Sequence, residues 1–275
     1  MRLGLEDKVA VISGASRGIG RAIATLLAGE GALVVMAARG ADDLGQAAHD
    51  IEALRPGRVA TVTADLTDPD DVERVVEVAH QRFGPVQVAV SNVIGHVIDA
   101  SKEGEGPGAG TFTSMPAAEY RNEFAHLLVS AWALADRCIP DMKAGAWGRI
   151  MNIGSGVARE PTKDLPHVLP NTVRPAVAGL YRAMARELAP HGITVNNILT
   201  GSILTERNRS YWQWLAKERG QTVEEVTSGV RAGIPVRRMG EPKEMAALVG
   251  FLASERAASI TGQSIPVDGG TSRHL

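Results

Sequence analysis

The chain reads as an α/β protein: one domain, residues 1–275, built on a doubly wound sheet of about seven parallel strands with helices on both faces. Three observations carry that reading. Short β-branched runs alternate with longer helical patterns, as in successive βαβ units. The strand candidates are apolar almost throughout, as strands buried on both faces are. The composition is 44 % hydrophobic but only 4 % aromatic, with 30 glycines among 275 residues, which suits small helix residues packed closely on such a sheet.

The strands expected from these runs cover 9–13, 33–38, 59–64, 86–91, 149–153, 194–199 and 264–267. Helical periodicity fills 18–27, 42–54, 70–83, 117–142, 172–188 and 242–254, several opened by Asp or Pro in the first turn. Two segments break the alternation. Residues 100–113 are Gly-rich and polar and read as a loop insertion. Residues 204–239 read as a substrate-lid insertion, with Tyr211, Trp212 and Trp214 crowded near its start. That cluster suits an apolar, cyclic ligand or a helix covering its own core. In open α/β sheets ligands bind beyond the carboxyl ends of the strands. Both insertions are therefore expected to flank one cleft, with Ser155 and Thr205 at its floor.

The charge balance excludes some partners. A net charge of −2 without a basic patch gives no footprint for nucleic acid. No apolar run approaches the roughly 18 residues of a membrane span. The start lacks a basic-then-apolar leader, so a cytoplasmic location is expected. The lone Cys138 cannot form an internal disulfide and falls in a helical pattern as a small core residue. No metal site is expected.

Directly after the first strand comes SGASRGIG at 13–20, opening into a helix. Gly14, Gly18 and Gly20 permit a tight turn and close backbone approach to a pyrophosphate. Ser16, Arg17 and Ile19 lie where the helix N-terminus offers unpaired N–H groups and positive dipole. This strand–loop–helix order makes the sheet Rossmann-type and implies a dinucleotide. The second strand ends Ala37-Ala38-Arg39, with no carboxylate to hold a ribose 2′-hydroxyl. Arg39 and Arg17 are instead placed to clamp a 2′-phosphate by charge-assisted hydrogen bonds. NADP(H) is the cofactor expected.

With these residues in hand, the sequence resembles the short-chain dehydrogenase/reductase superfamily over nearly its whole length, and within it the branch like 3-oxoacyl-carrier-protein reductase. The matching stretches are SGASRGIG, Asp65-Leu66, GRIMNIGS at 148–155, 176–198 ending in TVNNI, RRMGEPKE, and TGQSIPVDGG near the end. The resemblance implies that Asp65, followed by Leu66, lies against the adenine. It also implies that Asn92 ends the fourth strand beside the cofactor and that Thr205, after Ile203, meets the nicotinamide carboxamide. It implies a small-molecule substrate and a homo-oligomer, dimer or tetramer.

The resemblance breaks at the chemistry. The family uses Ser, Tyr and a Lys four residues beyond the Tyr, commonly with an Asn from the long helix before them. Ser155 matches the serine. Alignment on 176–180 puts Pro170 in the tyrosine position, Arg174 in the lysine position and Leu127 in the asparagine position, while Thr200-Gly201 replaces the family's Pro-Gly. Arg174 can bind the ribose diol but does not deprotonate, so it joins no proton relay. Candidate acids are His167 and His96, whose imidazoles titrate in the useful range. Asn171 and Ser155 can polarise a carbonyl by hydrogen bonding.

Three functions follow. The first is an NADP(H)-dependent oxidoreductase reducing a carbonyl or enone of a small, apolar molecule with an atypical catalytic site. The second is an enzyme of the same fold without net redox change, an isomerase, cyclase or dehydratase. The third is a non-catalytic NADP-binding partner subunit. Fold alone does not choose among them.

Overall fold

The structure is a computed structural model describing residues 3–93, 95, 111–161 and 168–273. Seven strands, β1 (Val9–Ser13), β2 (Leu33–Ala38), β3 (Val59–Thr63), β4 (Val88–Ser91), β5 (Gly148–Ser155), β6 (Ile193–Thr200) and β7 (Ser264–Val267), form one sheet in the order β3-β2-β1-β4-β5-β6-β7. Every pairing is parallel, as expected. β1 lies between β2 and β4, with Ile12 level with Met36 on one side and Val90 on the other. Winding reverses there, so a crevice opens at the carboxyl ends of β1 and β4.

β1 shows why its residues are apolar without alternation. Ala10 and Ile12 enter one core layer and Val9 and Val11 the other, because successive strand side chains point to opposite faces. On the Ile12 face lie α1 (Gly18–Gly29), α2 (Ala41–Leu54) and α9 (Pro242–Ala253), through Ile23, Leu44 and Val249. On the other lie α3 (Pro69–Arg82), α5 (Ser130–Ala144) and α6 (Val168–Leu188), through Val75, Leu134 and Tyr181. Each fully buried side chain of Leu or Val size contributes about 1.5–3 kcal/mol. A Cβ on Gly250 would stand 2.5 Å from the Leu26 side chain, so glycine sets the close α9–α1 approach. Cys138 is fully buried, and burial pushes its thiol up and out of reactive range.

Two helices differ from the expected pattern. The run at 117–142 divides into α4 (Ala117–Phe124), a π-helical turn (Ala125–Val129) and α5. α6 begins at Val168, four residues before the expected start. Leu169 and Val173, both fully buried and four apart, draw the preceding turn into the helix. Pro170 consequently occupies the first turn, where its missing N–H is harmless. Pro175 falls in the helix interior and cannot donate to the Asn171 carbonyl.

The 204–239 insertion folds as two helices, α7 (Glu206–Arg219) and α8 (Val223–Gly233). Gly220, at φ +61°, supplies the left-handed stop between them, and Thr222 with Glu225 forms a capping box on α8. Trp212, Leu215, Val226, Ile234 and Met239 make a small core of their own, with Tyr211 stacked on Trp214 at 5.8 Å. Among the described residues no helix is long and apolar enough to cross a membrane, and no group of side chains could hold a metal ion. The 100–110 part of the loop insertion lies outside the described residues.

Candidate active site

A cavity of about 560 Å³ occupies the crevice at the carboxyl ends of β1 and β4. The glycine loop forms its floor. Gly14, at φ +58°, packs so tightly that a Cβ would stand 2.2 Å from the Asn92 carbonyl oxygen, and a Cβ on Gly20 would stand 2.1 Å from that of Gly14. Asn92 fastens the loop to β4: its Nδ2 donates to the Gly14 carbonyl at 3.1 Å, and its N–H donates to Ser13 Oγ at 2.8 Å. Ser16, Arg17, Gly18 and Ile19 line the cavity, and Gly20 lies behind them. No side chain caps α1 and its first turn holds no acidic residue, so its orphan N–H groups are left to a ligand. That suits the phosphates of a dinucleotide.

At the β2 end, Arg39 and Asp65 share the wall with Leu66 and His126. Burial disfavours ionisation of Asp65. Hydrogen bonds from the Thr67 N–H and hydroxyl, at 3.0 and 2.8 Å, with the charges of Arg39 and His126, outweigh it and hold the carboxyl below its usual range. The two arginines expected as a clamp are placed differently. Arg39 is exposed at the rim, whereas Arg17 already has Asp43 and Glu206, each at 3.7 Å. These long, exposed pairs are weak and leave Arg17 free to turn to a phosphate.

The opposite end rests on β5 and β6. Asn152 Nδ2 donates to Asn197 Oδ1 at 2.7 Å, and Thr200 Oγ1 donates to the Gly154 carbonyl at 3.0 Å, which fixes the strand ends beneath the cavity. Arg174, Ile203 and Thr205 line it as expected. Thr205 also caps α7, its Oγ1 accepting from the Asn208 N–H at 3.2 Å. Ser155 stands one residue past the lining Gly154, accepts at 3.5 Å from the Val157 N–H, and is not part of the cavity wall. Asn171 and Pro170 are not part of it either, so of the catalytic candidates described only Arg174 faces the cavity. His96 and His167 lie outside the described residues. The Tyr211–Trp214 cluster also fails to line the cavity and packs within the α7–α8 segment instead, which removes the sequence argument for an apolar ligand.

Sequence reasoning missed two charged residues. Arg207, on the first turn of α7, lines the cavity, and Glu123 on α4 is buried beside both arginines. Desolvation lowers the pKa of Arg174, with Glu123 acting against it. Desolvation and the Arg174 charge bring Arg207 down to about 10, again against Glu123. Glu123 lies four residues before Leu127, on the same helical face, which was the available signal. Arg207 carried none beyond its nearness to Thr205.

A family model described as Enoyl-(Acyl carrier protein) reductase matches residues 14–272. The chain is 29 % identical to the NADPH-dependent reductase BacG of Bacillus subtilis, over 98 % of this chain and all of that one. It is 32 % identical to the 3-oxoacyl-[acyl-carrier-protein] reductase FabG of Vibrio cholerae, over 98 % of each. Among solved structures, the L-sorbose reductase of Gluconobacter frateurii complexed with NADPH and L-sorbose superposes with a TM-score of 0.89, at 32 % identity over all of both chains.

Proposed function

The chain belongs to the short-chain dehydrogenase/reductase superfamily, and from that premise we propose that it is an NADPH-dependent reductase of a carbonyl or enone in a small molecule, working without the family's tyrosine. The observation that carries this reading is the meeting, in one cavity, of an uncapped helix N-terminus, Arg39 and Arg174. The glycine loop and α1 take the diphosphate, Arg39 the 2′-phosphate, Asp65 the adenine, and Thr205 and Ile203 the carboxamide end. NADPH, when bound, supplies the hydride.

Arg174 then has two tasks. Its guanidinium holds the ribose diol, and its fixed charge stabilises negative charge developing on the substrate oxygen. It gives up no proton. The proton comes from another acid, with His96 and His167 as the sequence candidates, and losing a positioned tyrosine costs about 10²–10⁴-fold in rate. A cytoplasmic homo-oligomer, dimer or tetramer, belongs to the same proposal; Trp132, 47 % exposed on α5, supports an assembled form.

The test is NADPH absorbance during incubation with a panel of ketones and enones. Stoichiometric loss of NADPH with reduced product is expected. Product without NADPH consumption would replace this reading with an isomerase, cyclase or dehydratase, and NADPH binding without any product would leave a non-catalytic subunit.

A further inference from the structure

Arg17, on the glycine loop, stands between two carboxylates from different helices. Asp43, in the first turn of α2, brings its Oδ2 to 3.7 Å from Arg17 Nη2, and Glu206, in the first turn of α7, brings its Oε2 to 3.7 Å from Arg17 Nη1. Both separations exceed hydrogen-bonding distance. Glu206 lines the cavity together with Arg17, whereas Asp43 does not.

The position of Glu206 is set by a folded frame. Thr205 caps α7, Asn208 Nδ2 donates to the Ile203 carbonyl at 2.7 Å, and the Leu204 N–H donates to the Gly240 carbonyl at 2.8 Å. A Cβ on Gly18 would stand 3.4 Å from Thr205 Cγ2, so the start of α7 rests against the glycine loop itself. This keeps the Glu206 carboxylate within reach of Arg17.

We propose that Glu206 is a counterion that the cofactor's 2′-phosphate must displace: it occupies Arg17 in the free protein, and the phosphate takes the guanidinium from it. The side chains of Arg17 and Glu206 are 64 % and 71 % exposed, so water screens their attraction and solvates each when they part. The phosphate brings close to two negative charges and three acceptor oxygens against the single charge of Glu206. It therefore wins the exchange, at a reduced net affinity. NADH has a hydroxyl at that position and leaves the pair as it is. Glu206 thus works against NADPH alone and narrows the preference for it over NADH. This inference rests on the reductase reading, and within it on Arg17 as a ligand of the 2′-phosphate.

The experiment titrates the whole protein with NADPH and with NADH, at low and at high salt, in wild type, Glu206→Gln, Arg17→Gln and the double variant. Glu206→Gln is expected to bind NADPH about two- to fivefold tighter at low salt, the range an exposed ion pair commands. The gain should shrink at high salt, and NADH affinity should stay near that of wild type. Glu206→Lys, which also vacates Arg17 and adds a cation beside it, should gain more. In the Arg17→Gln background, Glu206→Gln should gain nothing, because the contested guanidinium is gone. Weaker NADPH binding by Glu206→Gln overturns the inference, since Glu206 would then orient Arg17 for the phosphate rather than compete with it. Unchanged binding overturns it too. So does an equal gain for both cofactors, or one that persists without Arg17, which would reduce Glu206 to a charge that repels the diphosphate. Failure of wild type to bind NADPH at all would instead bring down the reductase reading.

Discussion

The two halves of the cleft are specified by different means. Around the glycine loop the chain uses backbone: Gly14, Gly20 and Asn92 interlock so closely that an added carbon would collide at 2.1–2.2 Å. Around β5, α6 and α7 it uses side chains on an intact scaffold, where the sequence alignment expects Leu127, Pro170 and Arg174 in the family's catalytic positions and where Asn152, Asn197 and Thr200 lock the strand ends. Backbone fit tolerates almost no substitution. Side chains on a rigid frame can be exchanged without losing the fold, so such a frame lets chemistry change while a backbone cradle stays as it is.

The largest expected effect comes from breaking the first half. Gly20→Val forces a side chain into the Gly14 carbonyl, so NADPH affinity should fall more than about 100-fold and stability by about 1–3 kcal/mol. NADPH titration and thermal melting would read both, and affinity retained within threefold would show that the interlock is not what holds the cofactor. Next comes the rim of the same half. Arg39→Ala should weaken NADPH about tenfold, less than a buried charge-assisted pair would lose because Arg39 is exposed, and leave NADH within about twofold. Equal losses for both cofactors would refute the 2′-phosphate assignment.

The second half is sharpened by trying to restore it. Pro170→Tyr with Arg174→Lys should raise ketone reduction less than tenfold, because position 170 is not on the wall that Arg174 lines. A misplacement of about 1 Å can remove most of the benefit of a positioned acid. A gain of about 10²-fold would instead show that an ordinary reductase had merely lost its acid. The smallest effect lies at the start of α9. Arg238 grips Glu244 at 2.7 and 2.8 Å, and the Glu241 N–H adds a bond at 2.7 Å, which holds the Glu244 carboxyl at about 2. A depressed carboxylate stabilises above its ordinary value of 4.5, and that stability is lost as pH falls toward about 2. Glu244→Gln should therefore melt a few degrees lower at neutral pH, with the gap closing between pH 4.5 and 2; a gap independent of pH would exclude the ion pair as its source.

Much of the first half was legible in the sequence because its determinants are local. The glycine loop and the strands on either side of it reveal themselves within a few residues, and β1, β2 and β7 fall where the apolar runs place them, whereas Asn92 came only with the family resemblance. The second half is assembled from distant segments. Glu123 on α4, Arg174 on α6 and Arg207 on α7 meet only through tertiary packing, and a Glu in RNEF or an Arg in TERNR looks like any solvated helix residue. The π-helical turn escaped for a related reason, since AHLLV at 125–129 carries no Pro, Gly or cap residue to mark a break in the helix. The early start of α6 was hidden by two prolines whose local preference is overruled by the burial of Leu169 and Val173.

The miniature core of α7 and α8 has a consequence for how this protein breathes. Its stabilising contacts are contributed by Trp212, Leu215, Val226, Ile234 and Met239, which travel with the segment rather than with the sheet. Amide protons in the two helices are therefore expected to share one opening event and to exchange with solvent as a block, ahead of those in β1 and β4, as hydrogen exchange would show.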